Sequence, residues 1–161
     1  MSESNPIRVY VTHAFDESDD YLRVFEFLES DDRFYYLNVA KPENIPESGG
    51  LEAIKDELIQ QIKQSEVIIV LPSTHDQKPD LSRFQMDVAD ANDIPKISIK
   101  PFGGMGTVPK EVEERCNEIT EWNERDMVDA IKKHGRGEDT ARWEVIDFPG
   151  IEDLMKDDNK E

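Results

Sequence analysis

Residues 67–71, Val-Ile-Ile-Val-Leu, constrain the fold more than any other stretch of the chain. They are five consecutive apolar residues, four of them β-branched. Such a run makes a short strand covered on both faces, which is how strands of a parallel sheet between two helix layers read. Residues 7–12 (IRVYVT), 34–39 (FYYLNV) and 94–99 (IPKISI) have the same β-branched and aromatic character, and residues 118–120 form a weaker fifth run. Between these runs the apolar spacing changes to that of helices. Tyr21, Leu22, Phe25 and Leu28 form one stripe, with Ser18 or Asp19 as its cap; Leu51, Ile54, Leu58, Ile59 and Ile62 form a second. Further helices are expected over residues 81–91, 108–115 and 124–133, the last ending at His134-Gly135, while residues 72–79 and 101–107 read as loops.

A strand–helix alternation of this kind needs right-handed crossovers and helices on both faces of the sheet. The expected fold is therefore α/β, a doubly wound five-stranded parallel sheet of flavodoxin-like order in three α-β-α layers. Residues 1–6 read as a disordered N-terminus, residues 7–135 as the domain, and residues 136–161 as a peripheral acidic extension. At 161 residues the chain suits one domain with its own core.

The net charge is −18, from 37 acidic and 19 basic side chains spread along the chain. Such a field repels phosphate backbones and anionic lipid, so neither nucleic acid nor membrane is an expected partner. An ordinary acidic protein and one adapted to high salt both fit this composition. No signal peptide follows Met1, and the longest apolar run is far too short to span a bilayer. A cytoplasmic location is the expectation, and the single cysteine, Cys116, agrees with it.

In a doubly wound fold the ligand crevice lies beyond the carboxyl ends of the strands. Three loops reach that edge, and they carry Thr12, His13, Asp16, Ser48 and Ser73; Arg83 and Gln85 lie on the helix that follows. His13 is read as a solvated loop histidine or, alternatively, as a residue of the binding edge. Standard catalytic motifs are missing. Gly103-Gly104-Met105-Gly106 lacks the lysine and spacing of a phosphate loop, and no Gly-x-Ser-x-Gly elbow occurs. His13, His75 and His134 are too scattered for a metal site, and none is expected. Asp16, Asp19 and Asp20 suggest a receiver domain's acidic loop, but Leu71-Pro72-Ser73 offers no phosphoacceptor aspartate.

Several segments in sequence together resemble the TIR-like family of signalling and defence domains. Thr12-His13-Ala14-Phe15-Asp16 is similar to the family's opening strand and loop, and residues 50–71 to its helix of the form I-x-x-x-L-x-x-x-I-x-x-S before a buried strand. Ala89, Ala91 and Ile94-Pro95-Lys96-Ile97 resemble the next helix–strand unit. Val108-Pro109-Lys110 and Ile119-Thr120-Glu121-Trp122-Asn123 are similar to the archaeal and bacterial branch. The resemblance covers roughly residues 7–134.

The resemblance implies a domain that works by protein–protein contact, including TIR-type self-association, or by nucleotide binding, with Phe15 among the contact residues. It also implies an alternative, an enzyme that cleaves NAD or cyclises ADP-ribose. No cofactor is expected, and NAD enters as substrate or ligand. Family enzymes carry a glutamate on the helix after the third strand, shortly after a tryptophan. In this chain Leu81 stands at the tryptophan position and Gln85 at the glutamate position, with Asp87 two residues on as a candidate replacement charge. A nucleoside deoxyribosyltransferase-like enzyme is a further, weaker alternative.

Overall fold

A computed structural model of the protein describes residues 2–140. Five strands, β1 (Ile7–Val11), β2 (Tyr36–Asn38), β3 (Val67–Val70), β4 (Lys96–Ile99) and β5 (Glu118–Thr120), form one all-parallel sheet in the order β2-β1-β3-β4-β5. This is the flavodoxin-like arrangement, and the reversal of winding falls between β1 and β3. Val9 is in register with Val67 and Val11 with Ile69, so the two most apolar strands lie side by side at the centre. All four residues of β3 are buried, as a strand covered on both faces requires.

The helices are α1 (Asp19–Glu29), α2 (Gly50–Lys63), α3 (Pro72–Gln77), α4 (Pro79–Ala91), α5 (Lys110–Arg115) and α6 (Glu124–Arg136). α1 packs with α6 on one face, and α2 and α3 pack with α4 on the other. Ser18 caps α1 by accepting the Tyr21 N–H at 3.2 Å. α1 then buries Tyr21, Val24 and Leu28.

Two boundaries differ from the expectation. Residues 72–79 are not a loop: both prolines begin helices, Pro72 at the start of α3 and Pro79 at the start of α4. A proline in the first turn gives up an N–H that has no helical partner anyway, so it starts helices as readily as it ends them. The last helix also continues past His134-Gly135. Its left-handed terminating residue is Gly137, whose N–H reaches the Lys133 carbonyl at 2.9 Å while Glu138 N–H reaches that of Lys132. Gly135 instead lets the helix approach the sheet, because a Cβ there would lie 2.8 Å from Ile7 Cδ1.

Arg136 fastens this end of the molecule. It donates to both Glu66 carboxylate oxygens at 2.7 and 3.0 Å and to the Pro6 carbonyl at 3.1 Å. The Arg136 hydrogen bond holds the Glu66 carboxyl below its ordinary range. Near the chain start, Ser2 and Asn5 exchange backbone hydrogen bonds of 3.2 and 3.0 Å. Residues 141–161, which include most of the expected acidic extension, lie outside the described residues. No helix among the described residues is long and apolar enough to cross a membrane.

Candidate functional site

Two buried glutamines organise the carboxyl edge of the sheet. Gln85, on α4, has no exposed surface and uses its whole amide. Its Oε1 accepts the Tyr10 hydroxyl at 2.6 Å and the His13 N–H at 3.2 Å. Its Nε2 donates to the His13 carbonyl at 3.0 Å and the Leu81 carbonyl at 3.2 Å. The side chain thus pairs with one residue's N–H and C=O as a neighbouring strand would, pinning the loop after β1 to α4. Gln61, on α2, does the same for Lys41 after β2, accepting its N–H at 2.9 Å and donating to its carbonyl at 3.0 Å. In each case a buried loop backbone obtains partners that the sheet no longer supplies.

His13 lies between the two glutamines and is only 2 % exposed, so the expectation of a solvated loop histidine is corrected. Its Nδ1 accepts the Phe15 N–H at 3.2 Å, which leaves the proton on Nε2, 3.3 Å from Gln61 Oε1. Burial pushes the imidazole below its ordinary range, against weaker opposing contributions from Gln61, Asp16 and Glu43. Thr12 is also buried, and its hydroxyl accepts the Leu71 N–H at 3.0 Å, joining the ends of β1 and β3. Sequence reasoning missed Gln61 and Tyr10. The available signal was a polar residue inside the α2 apolar stripe, three positions after Leu58 and next to Ile62.

Next to this core, α2 and α4 enclose a groove of about 620 Å³. Its walls include Phe15, Leu51, Ile54, Leu81 and Phe84, and Asp87, Arg83, Lys55 and Lys78 lie around them. Phe15 reaches it from a left-handed backbone conformation (φ 72°) that its N–H bond to His13 helps to hold. Leu51 is 65 % exposed: the first turns of the α2 stripe extend beyond the sheet and line the groove instead of the core. Asp87 is engaged by Arg115 at 2.7 Å. Arg83 grips Glu111 through Nε at 2.7 and 3.0 Å and Asp80 through Nη1 at 2.9 Å.

The remaining predicted positions fall elsewhere. Ser73 lines a separate polar crevice of about 430 Å³ at the winding reversal, with Ser18, Asp19, Asp20 and Asp76. Asp16 and Ser48 are exposed and line neither space. The structure therefore brings Phe15, Arg83 and Asp87 together at one groove, places Thr12, His13 and Gln85 beneath it as buried supports, and sets Ser73 apart. Gly103-Gly104-Met105-Gly106 flanks a third hollow, with Trp122 and Lys110 on its wall. Burial pushes the Cys116 thiol up to about 12, which leaves it an unreactive neutral group. Among the described residues no three His, Cys, Asp or Glu side chains are placed to hold a metal ion.

No protein-family model matches the chain, and a comparison with curated proteins finds no match. What the geometry defines is a doubly wound α/β domain with a solvent-open, largely apolar groove between two helices.

Proposed function

We propose that the chain is a TIR-like signalling or defence domain that works by binding, taking a nucleotide or a segment of a partner in the α2–α4 groove without turning it over. One observation carries this reading: the Gln85 amide is wholly consumed in holding His13, Leu81 and Tyr10, and no exposed surface of it reaches the groove. Cleavage of a nicotinamide–ribose bond builds positive charge on the ribose, and a carboxylate aimed at that charge lowers the barrier. Removing one preorganised electrostatic group typically costs about 10²–10³ in rate. At the Gln85 position the chain offers a neutral, inward-facing amide.

The second reading is an enzyme that cleaves NAD, and the observation that favours it is Asp87 on the groove wall. Its carboxylate is already paired with Arg115, so it would act only after giving up that partner. The two readings separate in one experiment. Incubation of concentrated protein with NAD should release no nicotinamide above the enzyme-free control. Sustained release that Asp87→Asn abolishes would replace the binding reading with the catalytic one.

A further inference from the structure

The groove's charge runs against that of the molecule. The chain carries −18 overall, and most of its surface repels anions. Five charged side chains line the groove, the cations Lys55, Lys78 and Arg83 against the carboxylates Asp80 and Asp87. Asp80 is held at 2.9 Å by Arg83, which also grips Glu111, and Asp87 at 2.7 Å by Arg115, which also grips Asp90, so both carboxylates of the groove have a cation partner. Lys55 and Lys78 line the same groove, and neither has an ion-pair partner among the described residues. The Lys55 ammonium lies 5.5 Å from the centroid of the Phe84 ring, which marks a cation beside an aromatic wall. α4 also begins there without a side-chain cap, so the positive end of its backbone dipole adds to the same field.

From this pattern we infer that the α2–α4 groove selects a small molecule with a flat apolar body carrying one anionic group, the body lying against Phe15, Leu51 and Phe84 and the anion between Lys55 and Lys78. The inference rests on the proposed binding role of the groove and names the class of ligand for it. Charge complementarity supplies the selectivity. An anion that reaches the groove meets two cations whose charge no carboxylate has neutralised, whereas the polar crevice at the winding reversal would meet it with Asp19, Asp20 and Asp76. The apolar body gains by covering side chains that are large, hydrophobic and exposed, Phe15 at 41 % and Leu51 at 65 %.

The test uses two fluorescent probes with nearly the same aromatic body, anilinonaphthalene sulfonate, which is an anion, and phenyl-naphthylamine, which is neutral. Both are titrated into the full chain and into Lys55→Gln, Lys78→Gln, the double variant and Leu51→Asn. These positions are exposed, and a denaturation curve confirms that each variant folds. The sulfonate should bind more tightly than the neutral probe, and each lysine substitution should weaken it about two- to fivefold, the range of a solvent-exposed ion pair. The neutral probe should be indifferent to both lysines, and Leu51→Asn should weaken both probes. Equal binding of the two probes, or sulfonate binding unchanged in the double variant, would overturn the anion class while leaving the groove as a binding site. Failure of both probes to bind would overturn the anion class and the groove as a binding site together.

Discussion

Replacing Gln85 by glutamate exchanges one heavy atom of the side chain and removes the donor of half of its hydrogen bonds. The two bonds from Nε2, to the His13 and Leu81 carbonyls, require a donor. A carboxylate has none, and a protonated acid has one O–H for two carbonyls. At least one buried acceptor is therefore orphaned, at a cost of about 1–3 kcal/mol. The site has no exposed surface, so the acid must also fold protonated or place a charge against two carbonyl oxygens. Protonating a carboxyl of ordinary pKa near 4.3 at pH 7 costs about 1.36 kcal/mol for each of roughly 2.7 pH units, or about 3.7 kcal/mol, and this route caps the penalty. Gln85→Glu should lose roughly 5 kcal/mol at neutral pH, a large part of the stability of a domain this size. The sign of the pH effect is fixed: an acid whose native pKa is raised binds more protons folded than unfolded, so stability falls as pH rises above about 4.3. Urea denaturation of wild type and variant near pH 5 and near pH 7 reads both effects. A variant within about 1 kcal/mol of wild type at neutral pH, or a deficit that does not grow with pH, would refute the clamp role.

Three further outcomes follow from the same structure. His13 is held neutral by burial, so the unfolded chain takes up its proton first; its contribution is fully present above the ordinary value of about 6.5 and is lost as pH falls from there toward the lowered native value. Stability should therefore fall more steeply over that window in wild type than in His13→Gln, and equal slopes would contradict the assignment. Gly49 has φ 96°, and an added Cβ would lie 2.7 Å from that of Ala53. Gly49→Ala should cost at least about 1–2 kcal/mol by denaturation, and a neutral result would mean that the turn before α2 has another conformation. With 37 acidic side chains against 19 basic, self-repulsion outweighs the surface ion pairs that salt also screens; the melting temperature should rise from low salt to molar potassium chloride, and a flat or falling trend would remove that reasoning.

The strands were legible because the physics that forms them is local. Val67–Val70 is an unbroken β-branched run and Ile7–Val11 is broken only by Arg8 and Tyr10, and runs so rich in apolar residues belong in the middle of a parallel sheet. α2 was legible from its stripe, but the stripe did not say that Leu51 and Ile54 would outrun the sheet and wall a groove. α3 was hidden because a proline at each end of residues 72–79 suits a loop as well as it suits the first turn of a helix. The clamp role of the two buried glutamines could not be read from residue type, although Gln61 interrupts an apolar stripe. Gln61 and Gln85 look like ordinary solvent-facing amides until the fold places the Lys41 and His13 peptides opposite them. His13 was misplaced for the same reason: its burial depends on Gln61, a residue 48 positions away.

Backbone amide NMR of the labelled protein, titrated with the neutral phenyl-naphthylamine probe, tests most directly whether the groove between α2 and α4 is the ligand site. Chemical-shift changes should concentrate at Phe15, at Leu51, Ile54 and Leu58 of α2, and from Lys78 through Asp87 at the start of α4. Changes centred instead on Ser18, Asp20, Ser73 and Asp76, or on Phe102, Lys110 and Trp122, would place binding in a different hollow and contradict the assignment.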